Sequence, residues 1–164
     1  MSSIHLDGFV YYEPTTIEEA VNLLNEFGSE AQIIAGGIDL IPRMRSGSIK
    51  AGHIISIRDI PELSYFRFGE KTGLEFGAKT TLQFLDEALD FKNTYPAARD
   101  AIHQITSVQS KFMGTAVGNL CVATPGSDVA PALIAYGAEM VIVGLMVQGG
   151  RNCMSFTRII IVRH

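Results

Sequence analysis

Residues 9 to 57 alternate between strand and helix signals in an order that few folds accept. Phe9-Val10-Tyr11-Tyr12 reads as a short strand, which Pro14 and Thr15 break. Thr16 and Glu19 then form a capping box, Ile17, Ala20, Val21, Leu24 and Phe27 share one helical face, and Gly28 stops the helix. Gln32 to Ala35 is a buried strand that runs into Gly36-Gly37, Asp39 to Met44 is a short helix closed near Gly47, and His53 to Ile57 is another strand. Such an order builds a small parallel α/β lobe, because parallel neighbours need a crossover between them.

Beyond residue 60 the pattern changes. Tyr65-Phe66-Arg67-Phe68 and Leu74-Glu75-Phe76-Gly77 flank a turn from Gly69 to Gly73, as in an antiparallel hairpin. Thr80 or Thr81 caps a helix through about Asp90, and Pro96 opens another through Ile105. After a glycine-containing loop, a helix near Val129 to Tyr136 stops at Gly137, and Glu139 to Val143 forms a strand. The run Arg158 to His164 can be a last strand, which without a partner would be an aggregation-prone edge. The expected class is α+β, with a small lobe over 1–60 and a larger one over 61–164.

The chain has 164 residues, enough for one domain or two small lobes with a self-sufficient core. Its net charge of −4 gives no basic footprint, so nucleic acid is not an expected partner. Cys121 and Cys153 form neither a CxxC pair nor part of a His-rich cluster, which argues against a zinc site or a disulfide framework. No apolar run approaches the roughly 18 residues of a membrane helix, and Met1 to Asp7 lacks a basic export signal, so the expected location is the cytoplasm.

Binding chemistry concentrates in Gly114 to Leu133, which packs glycines, Asn119, a Gly126-Ser127-Asp128 turn and an apolar helix into one stretch. Thr115, Asn119 and Ser127 can donate to phosphate or ribose oxygens, and Asp128 can accept from a sugar hydroxyl or cap the helix that follows it. Gly36-Gly37, between strand and helix, either presents backbone N–H groups to an anion or is a plain tight turn. Asp39 would repel an anion unless its side chain turns away. Neither G-x-G-x-x-G after a strand nor G-x-x-x-x-G-K-[ST] occurs, which argues against Rossmann and P-loop enzymes. His5, His53, His103 and His164 are scattered, and none is assigned a catalytic role. Cys121, inside the ligand stretch and within an apolar, strand-like run, is expected to be a buried thiol.

Together these motifs resemble the FAD-binding medium subunit of the molybdenum hydroxylases, the xanthine and carbon monoxide dehydrogenase type. Phe9-x-Tyr11-x-x-Pro14 with Ile17-Glu18-Glu19-Ala20 is similar to the family's opening, and Ile34-Ala35-Gly36-Gly37-Ile38-Asp39-Leu40 to its first flavin loop. Ile60-Pro61-Glu62-Leu63 and Gly77-Ala78-Lys79-Thr80-Thr81 resemble its intermediate landmarks, and Gly114 to Leu133 its second loop. The resemblance implies a two-lobed domain of the vanillyl-alcohol oxidase and p-cresol methylhydroxylase type, with FAD between the lobes. By position, Ile34, Ala35, Gly36, Gly37, Ile38, Asp39 and Leu40 with Thr115, Gly118, Asn119, Cys121, Ser127 and Asp128 would line the cofactor, and no residue would be catalytic. It further implies a molybdopterin-binding large subunit, a [2Fe–2S] small subunit, and NAD or another electron acceptor.

Three positions depart from the family pattern. Ile38 replaces a usual Thr, Lys111 a frequent Arg, and Ala116-Val117 the usual Ile-Gly. Val117 is expected to obstruct FAD, since a β-branched residue adopts positive φ only at high cost. The C-terminal run is also expected to mark a truncated member of the family. The alternative reading is therefore a non-catalytic fragment that keeps the fold or a docking surface and binds FAD weakly or not at all.

Overall fold

A computed structural model describes residues 8–69, 73–105, 107–124 and 126–144, and the backbone of 158–162. The hairpin residues 70–72, Pro125, Cys153, His5 and His164 lie outside the described residues. Two sheets organise the chain. The first joins β1 (Val10–Tyr12), β2 (Ala31–Ile34) and β3 (His53–Ser56), all parallel, in the order β1-β3-β2. Central β3 carries the fully buried Ile54 and Ile55.

Helix α1 (Ile17–Phe27) crosses from β1 to β2 and turns Ala20 and Val21 into the core, with Ile17, Leu24 and Phe27 packed beside them. Thr16 Oγ1 accepts from the Glu19 N–H at 3.1 Å. The returning Glu19 carboxylate accepts from the N–H of Thr15 at 2.8 Å, one residue earlier than a standard capping box places it. His53 is structural: its ring stacks on Phe27 at 3.7 Å between centroids, and its Nδ1 lies 3.1 Å from the Tyr12 hydroxyl. Helix α2 (Leu40–Arg45) follows β2 across the Gly36-Gly37 turn.

The second sheet is antiparallel, built from β4 (Phe66–Gly69) and β5 (Gly73–Phe76) with two later strands, β6 (Ala138–Ile142) and β7 (Arg158–Val162). The order β4-β5-β7-β6 places β7 between two partners. The expected lone edge is thus an interior strand, because β5 and β6 each leave one side open for it.

Between the hairpin and β6 the chain is helical: α3 (Leu82–Glu87), α4 (Leu89–Thr94), α5 (Pro96–His103), α6 (Val108–Met113), α7 (Ala116–Val122) and α8 (Val129–Ala135). Thr81, not Thr80, caps α3, accepting from the Phe84 N–H at 3.2 Å. The single helix expected from there to Asp90 is two, because Ala88 adopts extended backbone between α3 and α4. Phe76, Leu74, Leu85, Phe91, Tyr95, Ile102 and Leu133 are fully buried between the second sheet and these helices. One continuous core also takes in Ala20 of α1 and Ala31 and Ile55 of the first sheet.

Helices α6 and α7 replace what the sequence presents as one long loop. Ser107 Oγ accepts from the Ser110 N–H, and Thr115 Oγ1 accepts from the Gly118 N–H at 3.0 Å, so each helix has a side-chain cap. Helix α7 ends on Ala123 in the left-handed region, φ 48°. Val117 therefore does not adopt positive φ; it is helical and buried in the core. The penalty expected at this position does not arise, because the backbone there is helical, and the side chain packs into the core.

Val117→Gly is accordingly a destabilising change. It empties a buried position and places Gly inside a helix, and we expect a loss of about 2–4 kcal/mol in urea unfolding. An unchanged or raised unfolding midpoint would contradict the core placement of Val117.

Candidate flavin site

The two glycine loops meet. A Cβ added to Gly36 would overlap the Met113 carbonyl and lie 3.1 Å from the Gly114 nitrogen, so only glycine lets the end of β2 approach the α6–α7 junction this closely. Gly37 follows at φ 72°, where Ile34 Cδ1 and Ile41 Cγ1 would stand 3.2 and 3.4 Å from an added Cβ. No described residue accepts from the N–H of Gly36, Gly37, Ile38 or Asp39. These donors form a short run of unpartnered amides before α2, as an anion-binding concavity requires.

Asp39 does not spoil that run, because its carboxylate lies 3.2 Å from Arg43 Nη1, one turn along α2. The pair is half-exposed and adds little stability, yet it draws the negative charge toward the helix flank. Ile38 is exposed and projects from the same turn. Ala35 and Leu40 are half-buried on either side.

The second loop is held from behind. Gly114 O accepts from the Leu82 N–H at 2.9 Å, the Ala116 N–H donates to Thr80 O at 3.1 Å, and Thr81 bridges to Thr115. The landmark Gly77 to Thr81 thus supports the loop. It is itself tied to Ile60–Leu63: the Lys79 N–H donates to Leu63 O at 3.0 Å, and Lys79 Nζ donates to Ile60 O at 3.2 Å. Thr115 is buried with its hydroxyl oxygen engaged as the α7 cap. Apart from Thr115 Oγ1 at 2.8 Å, nothing lies near a Cβ added to Gly118, which leaves space over the first turn of α7.

Ser127 Oγ donates to Asn119 Oδ1 at 2.7 Å and ties the turn before α8 to α7. Asn119 keeps its two amide N–H donors for another partner. Asp128 occupies the cap position of α8 without a side-chain cap bond, and its side chain is exposed. Cys121 is exposed on α7, one turn beyond Gly118, where a buried thiol was expected. The run around it is helical and not extended, and Cys121 falls in its last turn, beyond the buried Ala116 and Val117 of the first.

A site feature hidden in the sequence is the carboxylate behind the second loop. Asp86 on α3 is buried, with Lys111 Nζ of α6 at 2.9 Å, Arg99 Nε of α5 at 3.0 Å and His103 Nδ1 of α5 at 3.1 Å. The Lys111 contact is a well-formed hydrogen bond, whereas the Arg99 Nε–H is not aimed at the carboxylate despite the short separation. The readable signal was a charged residue one turn after Leu82 on an apolar stripe with Leu85. Burial would raise the Asp86 pKa, but the hydrogen bonds from Lys111 and His103 and the charges of Lys111 and Arg99 outweigh it, holding the carboxyl below its ordinary value.

Comparison with known proteins decides the family. A family model described as the FAD binding domain in molybdopterin dehydrogenase matches residues 5–158. The chain belongs to this family. Its cofactor is FAD, and the residues present fit that group: unpartnered amides at Gly36 to Asp39 for a diphosphate, open space over Gly118, and Asn119, Ser127 and Asp128 as polar neighbours.

Among relatives, the caffeine dehydrogenase subunit beta of Pseudomonas sp. (strain CBB1) is 32% identical over 133 residues, covering 81% of this chain and 45% of the relative. The carbon monoxide dehydrogenase medium chain of Afipia carboxidovorans is 33% identical over 136 residues, covering 83% of this chain and 47% of the relative. The structure of carbon monoxide dehydrogenase from Hydrogenophaga pseudoflava superposes with a TM-score of 0.84 at 28% identity, over 98% of this chain and 61% of that one. The chain thus spans about half the length of these curated relatives.

The lowered pKa of Asp86 has a measurable consequence. Its contribution to stability is full above the ordinary Asp pKa of about 3.9 and is lost as the pH falls through the lower folded-state value. Asp86→Asn should be less stable than wild type at pH 7, with the gap narrowing as urea melts are repeated toward pH 2. A gap independent of pH would show that the carboxylate charge is not what matters there.

Proposed function

We propose that this chain is the FAD-binding part of a molybdenum hydroxylase, in which it works as an oxidoreductase subunit inside a heteromeric complex. The reading is supported above all by the junction of Gly36 with Met113 and Gly114, which sets the unpartnered amides of the first loop beside the start of α7. In this reading the protein is a two-lobed domain of the vanillyl-alcohol oxidase and p-cresol methylhydroxylase type, with lobes over 1–60 and 61–164 and FAD between them.

The amides of Gly36, Gly37, Ile38 and Asp39 receive the diphosphate, and the Asp39–Arg43 pair keeps the carboxylate off it. Gly118 lets the cofactor approach α7, while Asn119, fixed by Ser127, offers its amide N–H groups, and Asp128 accepts from a hydroxyl. Thr115 and Ile34 act from within, holding the two loops in place. When bound, FAD supplies the redox chemistry, accepting electrons from the [2Fe–2S] centres of a small subunit and passing them to NAD or another acceptor. Substrate chemistry belongs to a molybdopterin-binding large subunit, in keeping with relatives named as a medium chain and a subunit beta. No helix among the described residues is long and apolar enough to cross a membrane, and the proposed location is the cytoplasm.

Ile38 provides a direct test, because it lies within the amide run and its exposed side chain can be changed to a charge without disturbing the core. In flavin-fluorescence titrations, wild type should bind FAD, Ile38→Asn should bind within a few-fold of it, and Ile38→Asp should bind at least about tenfold more weakly, an effect of about 1.4 kcal/mol. Equal affinities for the Asn and Asp variants, or no flavin binding by wild type, would sink the assignment of the diphosphate to this loop.

A further inference from the structure

Helix α6 is only six residues long and buries none of them. Val108, Phe112 and Met113 all lie exposed along it. A helix this short has little stability of its own, so its position is set by tertiary ties. Yet its last residue, Met113, carries the carbonyl that occupies the space beside Gly36, and any drift of α6 would separate the two loops.

The side chain that ties α6 down is Lys111, two residues before that contact. Its stem and ammonium run inward, with the side chain 12% exposed, and Nζ donates to Asp86 Oδ2 at 2.9 Å. The same helix α3 grips the junction at a second height, since the Leu82 N–H donates to Gly114 O at 2.9 Å. Leu82 and Asp86 stand one turn apart on α3, so the two grips fix both the position and the direction of the α6–α7 junction. Arg99 and His103 of α5 also lie against the Asp86 carboxylate, His103 Nδ1 at 3.1 Å from the oxygen that Lys111 takes, and Asp100 draws the far end of the Arg99 guanidinium at 3.4 Å.

We propose that Asp86 is a positioning residue of the flavin clamp: it acts through Lys111 to hold the Met113–Gly114 junction against Gly36. The inference rests on the assignment of both loops to FAD. Asp86 itself touches no cofactor; it decides whether the surface that does is assembled.

The experiment uses the whole chain and three variants, Asp86→Asn, Lys111→Met and Lys111→Arg, with Phe91→Leu as a core control remote from α6. FAD affinity, melting temperature and backbone amide exchange are measured for each. Asp86→Asn and Lys111→Met should weaken FAD binding tenfold or more and speed exchange in peptides spanning 33–40 and 113–122, while exchange at Ile54 and Ile55 stays at the wild-type rate. Lys111→Arg, which keeps the charge, should stay within threefold of wild type in both. Phe91→Leu, despite a lowered melting temperature, should leave affinity and loop exchange unaltered. If exchange in the Asp86 and Lys111 variants rises as much in β3 as in the loops, or their FAD affinity falls no further than that of Phe91→Leu, Asp86 merely stabilises the fold and the proposal is wrong. Ile38→Asp separates the two levels. Weakened binding there with a silent Asp86→Asn overturns the positioning role alone, whereas a silent Ile38→Asp overturns the clamp and the positioning role together.

Discussion

The contact between the α-carbon of Gly36 and the carbonyl of Met113 is the constraint on which the candidate site depends. A single methyl group at position 36 would force β2 and the α6–α7 junction apart. Interiors this closely packed have no slack to absorb such a change without shifting backbone. Around that contact the chain arranges two kinds of support. The first loop is held by the strand it ends and by Ile34 and Ile41 under Gly37, and the second by hydrogen bonds to the first turn of α3 and the segment before it.

Polar and apolar ties divide the work differently on the two sides. The first sheet is anchored by fully buried Ile54 and Ile55 and by the Phe27–His53 stack, so the first loop rests on apolar packing. On the second side, α7 buries Ala116 and Val117, but α6 has no buried residue, and among the described residues its one side-chain hydrogen bond to another element is the Lys111–Asp86 contact. Buried ion pairs add little net stability, because desolvation offsets their attraction, yet they are demanding about geometry. That property suits a junction whose task is placement.

The first sixty residues were legible because their signals are local. A capping residue, an apolar stripe at helical spacing and a glycine stop each act within a few positions, and β1, α1, β2, α2 and β3 follow them closely. The hairpin, β6 and α8 were legible for the same reason. Val117 and Cys121 were misread together: β-branched and apolar residues from 116 to 122 suggest extended chain, whereas the Thr115 cap and the bond from Ala116 to Thr80 O start a helix. Tertiary hydrogen bonding overrode local propensity. The place of β7 was hidden because strand order depends on which edges are open, a property of the sheet and not of the strand.

What the residues alone determined was the inventory: the two glycine loops, their order, the polar groups between them and, through that order, the resemblance to a flavin-binding family. Only the tertiary structure decided that Gly36 closes on Met113, that Val117 belongs to the core, that Asp39 is drawn aside by Arg43, and that Asp86 gathers Lys111, Arg99 and His103. The physical reason is range. Caps, turns and periodicity are set by neighbours in sequence, while close backbone approach and burial of charge depend on groups that meet only when separate elements pack together.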